Sequence, residues 1–162
     1  MIREQIIGSR TSFDLKATPA DQSSCIIQSF HEKWKAPLIK NEIRVVFRKK
    51  GPKQFTPKTM YAYISTPTSA IVAKMPVLSC EFLPLDEAVQ RATRGAISED
   101  ELRHYAKTNR ELVVIEIGKT SVAKTPITLD YLVQTHGFWP SANFIPLSNH
   151  GVDVLDQLGD FH

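Results

Sequence analysis

The sequence predicts one α+β domain built on a small curved sheet. Three observations favour this fold class: several short runs of β-branched and aromatic residues, two helix-capping signals in the second half of the chain, and a length of 162 residues with 42% hydrophobic side chains. This length can bury one core but is too short for two full domains. We therefore expect a single domain over residues 23–162, preceded by an N-terminal extension over residues 1–22 that shows no sustained hydrophobic period.

Four segments in the first half of the chain have the composition of strands. They cover residues 25–30, 42–50, 60–65 and 71–82. A short helical turn is expected between the first two, through Trp34 to Ile39. Pro76 is expected to bend the fourth strand, because proline cannot donate a hydrogen bond to a central ladder.

The second of these strands alternates in character. Ile43, Val45 and Phe47 fall on one face, and Arg44, Val46 and Arg48 fall on the other. This pattern predicts a half-buried strand whose cationic face projects into water.

Helices and one further strand are expected in the second half. A helix over residues 85–94 should end at Gly95, and the Ser-x-x-Glu spacing from Ser98 predicts a capping box that opens the next helix. The nearly continuous apolar run 112–117 is typical of a central strand covered on both faces. Thr128 should cap a short helix through Leu132 that ends by Gly137, and a final helix is expected over residues 152–158.

Charge is distributed unevenly along the chain. The net charge is +3, yet residues 31–58 hold nine basic side chains against two acidic ones, a local balance of +7. The nine are Lys33, Lys35, Lys40, Arg44, Arg48, Lys49, Lys50, Lys53 and Lys58. Such a segment attracts phosphate backbones through counterion release. A lysine-rich run also blocks edge-to-edge pairing of strands, and both interpretations remain open at this level.

Several classes of site find no support. The five histidines form no His-x-x-x-His pair and the two cysteines no Cys-x-x-Cys pair, so we expect neither a metal site nor a cofactor. Cys25 and Cys80 lie in apolar strands, where small buried side chains are expected. No apolar run is long enough to cross a bilayer and no signal peptide is evident, which predicts a cytoplasmic protein without membrane contact.

Glu116 interrupts the apolar strand 112–117, on the face that Leu112 and Val114 share. A carboxylate at this position needs a partner, for which Arg48 and Arg44 are the candidates. The pair is either a structural ion pair or part of a polar pocket on the sheet.

The segment from Val45 to Lys74 resembles the ASCH family, a bacterial and archaeal branch of the PUA-like domains. The resemblance lies in Phe47-Arg48-Lys49, then residues 60–67, then Ile71-Val72-Ala73, which follow the order of the Phe-Arg-Lys, Tyr-x-Tyr-x-Ser-x-Pro and Ile-Val-Gly elements of that family. Later features at residues 97–101, Tyr105, 114–117 and 140–144 agree, so that the similarity extends over residues 25–147.

This resemblance implies a PUA-like fold, a small curved mixed β-barrel with peripheral helices and a cleft on one face. It also implies binding of RNA or modified nucleosides, and some relatives hydrolyse acylated cytidine or cut RNA. The Gly-x-Lys-x-x-Glu-x-Arg motif of the family falls on Asn41, Ile43, Val46 and Arg48, so that only its arginine is retained. Because the amine and the proton acceptor of the motif are replaced by apolar residues, catalysis is not favoured.

The leading hypothesis is therefore a non-catalytic module that binds RNA or a modified nucleoside. Its predicted contacts are Arg44, Arg48, Lys49, Lys50 and Lys53 for phosphates, with Tyr61 and Tyr63 on a neighbouring strand as stacking rings. A second hypothesis is a nucleoside or RNA hydrolase in which Glu116 is the general base and Arg48 orients the substrate. A third is a protein-interaction module with a regulatory role, because ASCH relatives occur joined to helix-turn-helix or acetyltransferase domains.

Overall fold

Strands and helices interleave along the chain in the computed structural model, which describes residues 15–18, 21–141 and 143–162. The strands are β1 Gln22–Phe30, β2 Val45–Arg48, β3 Thr59–Ile64, β4 Ala70–Pro84, β5 Glu111–Ile117, β6 Ser121–Thr128 and β7 Ile145–Ser148. The α-helices are α1 Lys35–Ile39, α2 Leu85–Val89, α3 Glu99–Ala106, α4 Leu129–His136 and α5 Asn149–Gly159. Two 3-10 turns, Glu32–Trp34 and Ala92–Gly95, complete the regular structure in these residues.

The strands form one mixed sheet in the order β2-β5-β4-β3-β1-β7, with β6 paired to β4. β1 and β3 are parallel, and the other pairs are antiparallel. The predicted α+β class is confirmed. The sheet is not closed by hydrogen bonds, however, because β2 and β7 stand at opposite ends of the strand order.

The long strand β4 changes partners at Pro76. Its first part pairs with β3, up to the pair Thr59 and Pro76, and its second part pairs with β5 from Val77 onward. The carbonyl of Pro76 accepts a hydrogen bond from the amide of Gly118, 2.9 Å away. The proline expected to bend this strand therefore stands where β4 passes from one partner to the other.

Three clusters of buried side chains surround the sheet. Val113, Ile115 and Ile117 of β5 belong to a central cluster, whereas Leu112 and Val114 belong to a second cluster on the side of α2 and α3. The prediction of a central strand covered on both faces is confirmed. A third cluster packs α4 and α5 against β1 and β3.

The predicted helix caps are present. The Ser98 hydroxyl accepts from the amide of Glu101 at 3.0 Å, and the Thr128 hydroxyl accepts from the amide of Tyr131 at 3.2 Å. Gly137 ends α4 in the left-handed region, with φ of 62°. The single helix predicted over residues 85–94 is wrong, because α2 stops at Val89 and a separate 3-10 turn follows it.

Strands β6 and β7 were not predicted. Each contains a proline, Pro126 or Pro146, which makes its sequence resemble a loop. Of the predicted N-terminal extension, residues 1–14, 19 and 20 lie outside the described residues. Leu15 is fully buried in the cluster beneath α4 and α5.

Gly95 offers a test of the packing between the 3-10 turn and β2. A Cβ atom there would lie 2.7 Å from Cε2 of Phe47 and 2.8 Å from the carbonyl oxygen of Val45. We expect Gly95→Ala to lower the free energy of unfolding by about 1–3 kcal/mol, because the backbone must shift. Denaturant titration measures this change.

The neighbouring residue provides the matched control. Ala96 is exposed and has φ of 55°, a left-handed conformation that glycine adopts at lower cost. Ala96→Gly should therefore raise the free energy of unfolding by about 0.4–1 kcal/mol. Equal responses of the two variants would contradict the packing described.

Candidate nucleic-acid interface

Both faces of β2 are covered. Val45 and Phe47 pack in the cluster beside α2 and α3, and Val46 packs in the central cluster with 5% of its surface exposed. The expectation of a half-buried strand with a cationic face in water is therefore wrong. Ile43, which precedes β2, also packs in the central cluster and not with Val45 and Phe47.

Arg48 ends β2 and reaches across to β1. Its guanidinium lies over the ring of Phe30, 4.6 Å from the centroid, and Nη2 donates to the carbonyl of Ser29. Tyr105, on α3, also interacts with this guanidinium. One side chain thus connects β2, β1 and α3.

The positive charge of Arg48 has no carboxylate partner among the described residues. Burial lowers the pKa of the Arg48 guanidinium, and the contact with Tyr105 acts in the opposite direction. Its Nε is buried and has no hydrogen-bond partner. Because an arginine stays protonated in proteins, this is a desolvated cation with an unused donor.

Arg48 lies between two clefts. The first, which we call the central cleft, has a volume of about 340 Å³ and contains Ser29, Phe30, Arg48, Lys49, Lys50 and Tyr105 among its lining residues. The second, the apolar pocket, has a volume of about 190 Å³ and is lined in part by Phe30, Trp34, Ile43, Val46 and Arg48. His31 and Tyr105 border both spaces.

A third space continues from the central cleft. This lysine cleft, of about 550 Å³, shares Lys49, Lys50 and Asn143 with the central cleft and adds Lys53. Each space shares lining residues with the next, and we call the three together the groove. Apolar side chains predominate in the apolar pocket, whereas lysines line the central cleft and the lysine cleft.

Aromatic rings accompany the exposed lysines of the groove. Nζ of Lys49 lies 4.9 Å from the ring centroid of Tyr105, and Nζ of Lys53 lies 5.6 Å from that of Phe82. A ring face attracts a cation without cancelling its charge. These lysines therefore remain available to an anion.

The structure brings together Arg48, Lys49, Lys50 and Lys53 of the predicted contacts, but not Arg44. Arg44 is exposed before the other end of β2, where its amide donates to the carbonyl of Arg94 at 2.7 Å. Four residues of strand separate it from Arg48 by about 13 Å. Arg44 lines none of the three clefts.

Tyr61 and Tyr63 are in the core, with 1% and 3% of their surfaces exposed. The Tyr61 hydroxyl donates to Oδ1 of Asp156 at 2.6 Å, and burial together with this hydrogen bond raises the pKa of Tyr61. Neither ring offers a face to a base. The prediction that they would stack on a ligand is wrong, because both rings pack in the cluster beneath α4 and α5.

Glu116 pairs with Arg94, and neither Arg48 nor Arg44 is its partner. Oε2 lies 2.6 Å from Nη2 of Arg94, and the hydrogen bond and charge of Arg94 lower the pKa of Glu116. Across the ladder of β2 and β5, Glu116 opposes Val45 and Arg48 opposes Val113. Directly opposed residues share a face, so Arg48, three residues beyond Val45, projects to the face opposite Glu116.

Sequence reasoning did not identify Ser29, Phe30, His31, Tyr105 and Asn143 as parts of one site. These residues come from β1, the turn after it, α3 and the segment before β7. No local spacing connects them, because only the tertiary fold brings the elements together.

Other kinds of site are not found in the part of the chain that the structure describes. It contains no group of three or more histidine, cysteine, aspartate or glutamate side chains placed to hold a metal ion. None of its helices combines the length and apolar character that spanning a bilayer demands. Cys25 and Cys80 are free and half-buried, and burial raises the pKa of Cys80.

The seven-stranded mixed sheet with helices packed on it defines an α+β fold. A search of solved structures shows which type. A serine-to-alanine variant of the ASCH protein from Zymomonas mobilis superposes with a TM-score of 0.77 at 16% identity, covering 85% of this chain and 98% of that one. The unmodified Zymomonas mobilis ASCH structure gives 0.74 at 15% identity, covering 83% and 95%. The chain therefore has the ASCH-type PUA-like fold.

A more distant structure shares this architecture. The N-terminal domain of McrB from Staphylothermus marinus superposes with a TM-score of 0.57 at 11% identity, covering 85% of this chain and 96% of that domain. No family model matches the sequence, and no curated protein sequence matches it. The likeness is therefore one of fold.

The ion pair of Glu116 gives a pH-dependent prediction. Its pKa is lowered from an ordinary value of 4.5, so the pair contributes to stability above about pH 4.5 and loses its contribution as the pH falls through the lowered value. In Arg94→Ala we expect the Glu116 pKa to rise toward 4.5, measured by NMR titration of the carboxyl carbon.

Arg103→Ala is the control, because Arg103 pairs with Asp86 and Glu99 instead. It should leave the titration of Glu116 unchanged. An unaltered pKa in Arg94→Ala would show that Arg94 is not the source of the shift.

Proposed function

We propose that this chain binds RNA in the groove, with phosphates contacted by Arg48, Lys49, Lys50 and Lys53. The observation that carries the proposal is the desolvated guanidinium of Arg48, which has no carboxylate partner among the described residues and lines two adjoining clefts. Burial of an unpaired cation costs free energy. An anionic ligand at the exposed part of this side chain would supply the missing charge.

The shape of the groove favours a polymer over a small anion. Three adjoining spaces of about 190, 340 and 550 Å³ extend beyond the position of a single phosphate. Exposed lysines line the central cleft and the lysine cleft. The apolar pocket has one lysine, Lys33, and its ammonium group pairs with Glu101. A phosphate backbone would therefore follow the basic part of the groove.

A modified nucleoside is the second candidate, favoured by the apolar pocket. Phe30 and Trp34 supply aromatic walls there, and Arg48 supplies a donor at the edge. Both candidates agree with what the resemblance to ASCH domains implies. They differ in charge, because a nucleoside carries no phosphate and its binding would respond little to salt.

The hydrolase hypothesis loses its proposed residues. Glu116 and Arg48 project from opposite faces of the sheet, so they cannot act on one substrate. Ile43 and Val46, which occupy the lysine and carboxylate positions of the family motif, line the apolar pocket. The pocket therefore supplies neither an amine nor a proton acceptor at these two positions.

A salt titration tests the RNA proposal. An unstructured single-stranded RNA should bind at low salt, and the logarithm of its affinity should fall linearly with the logarithm of the salt concentration. Replacing Lys49, Lys50 or Lys53 by alanine should reduce that slope by about 0.7–1 for each lysine that contacts a phosphate. Fluorescence anisotropy measures both quantities.

Lys124→Ala is the matched control, since Lys124 is exposed on β6 and lines none of the three clefts. It should leave the slope unchanged. Absence of binding at low salt would refute the proposal, and a salt-insensitive affinity for a modified nucleoside would favour the second candidate.

Arg48→Met separates a binding role from a structural one. Methionine keeps much of the length of the side chain and removes the desolvated charge, so the free energy of unfolding should stay within about 1 kcal/mol of wild type. The affinity for RNA should fall at least tenfold, which corresponds to the loss of about 1.4 kcal/mol.

Thermal denaturation and anisotropy should be measured on the same preparations of Arg48→Met and wild type. A loss of stability above about 3 kcal/mol with unchanged affinity would mean that Arg48 serves the fold alone, as one half of a buried interaction.

A further inference from the structure

The segment between α4 and β7 carries the most exposed large hydrophobic side chain in the described part of the chain. Trp139 is 64% exposed. Its neighbour Phe138 is 1% exposed and packs in the cluster beneath α4 and α5. The amide of Phe138 also donates to the carbonyl of Leu132 at 3.1 Å, which fixes the backbone where α4 ends. The indole therefore projects from an anchored backbone into solvent.

The same segment is attached to the wall of the groove. The Ser29 hydroxyl donates to the carbonyl of Ser141 at 2.8 Å, and Ser29 is the residue whose own carbonyl accepts from Arg48. Asn143 lines both the central cleft and the lysine cleft. Trp139 is two residues from Ser141, so their Cα atoms lie at most about 7 Å apart. Trp139 therefore belongs to the segment that Ser29 ties to the wall of the groove, and it is not itself a lining residue.

We propose that Trp139 is a stacking platform for an unpaired base of the RNA strand held in the groove, which makes the preferred ligand single-stranded. The inference rests on the proposed function. Trp139 takes the stacking role that the sequence suggested for Tyr61 and Tyr63, because those two rings are buried and its own ring is exposed to solvent. A tryptophan offers a large apolar face to any base, so stacking adds affinity without adding charge.

The preference for single-stranded over duplex RNA follows from the geometry of base stacking. In a duplex, each base is covered by its neighbours above and below, and its face is not available to a side chain. In a single strand the bases can turn out, while the phosphates remain on Arg48 and the lysines. A duplex of the same sequence would engage the basic groove alone.

The first test compares Trp139→Ala with the wild-type chain on an unstructured single-stranded RNA. We expect the affinity to fall about tenfold, with an unchanged dependence on salt, because a base contact releases no counterions. Trp139→Phe should retain most of the affinity. Leu78→Ala is the matched control, because Leu78 is 62% exposed on β4 and lines none of the clefts. The affinity of this variant for the RNA should equal that of wild type.

The second test uses fluorescence. The chain has two tryptophans, and Trp34→Phe leaves Trp139 as the only one. Saturation of this variant with single-stranded RNA should quench its emission, and saturation with a duplex should not.

The outcomes separate the two proposals. If the wild-type chain binds no RNA at low salt, both fail. If it binds and the lysine variants weaken binding while Trp139→Ala and the emission of Trp139 are unaffected, the groove stands and the stacking role is overturned. An equal loss of affinity for single-stranded and duplex RNA in Trp139→Ala would also overturn it.

Discussion

The contact between Arg48 and β1 joins two parts of the sheet that the backbone leaves apart. β2 is one end of the strand order, and β1 stands next to β7 at the other. β7 pairs with β1 at Ile26 and Ile27, so the carbonyl of Ser29 lies beyond the reach of that ladder. Arg48 donates to this carbonyl and covers Phe30. Because the sheet stays open here, a groove exists at its end. The side chain of Arg48 spans the gap between β2 and β1 and also gives the groove positive charge.

The cationic side chains beside the helices and those in the groove have different kinds of partner. On the side of the helices, each of three arginines has a carboxylate partner: Arg91 with Glu81, Arg94 with Glu116, and Arg103 with Asp86. In the groove, Lys49 and Lys53 instead lie over aromatic rings, and Arg48 lies over Phe30. Exposed ion pairs add little stability, but they neutralise the field around them. Three of the nine basic side chains of residues 31–58, namely Arg48, Lys49 and Lys53, therefore contribute their charge to the groove beside rings.

Local signals in the sequence predicted the caps at Ser98 and Thr128 and the buried strand β5, because each depends on residues close together in the chain. Long-range packing decided the rest. Alternation in β2 predicted one solvent-exposed face, but Val46 is buried because it packs in the central cluster. The partner of Glu116 is Arg94, which lies in the 3-10 turn after α2. Sequence periodicity had predicted this turn and α2 as a single helix. The groove itself is lined by β1, β2, α3 and the segment before β7, with parts of β4 and β5, so no single window of sequence contains it.

Two positions in the apolar pocket lack titratable side chains, and this bears on the proposed binding role of the groove. Ile43 and Val46 make part of the pocket beside Arg48 apolar, so a ligand group against these two side chains would be desolvated. The same desolvation strengthens any hydrogen bond that the guanidinium makes with an anion, because the local dielectric is low. Glu116, the carboxylate that the sequence offered as a general base, is held on the other face by Arg94. Strong donors beside an apolar wall suit retention of a ligand, and this is the physical basis of the proposed binding role.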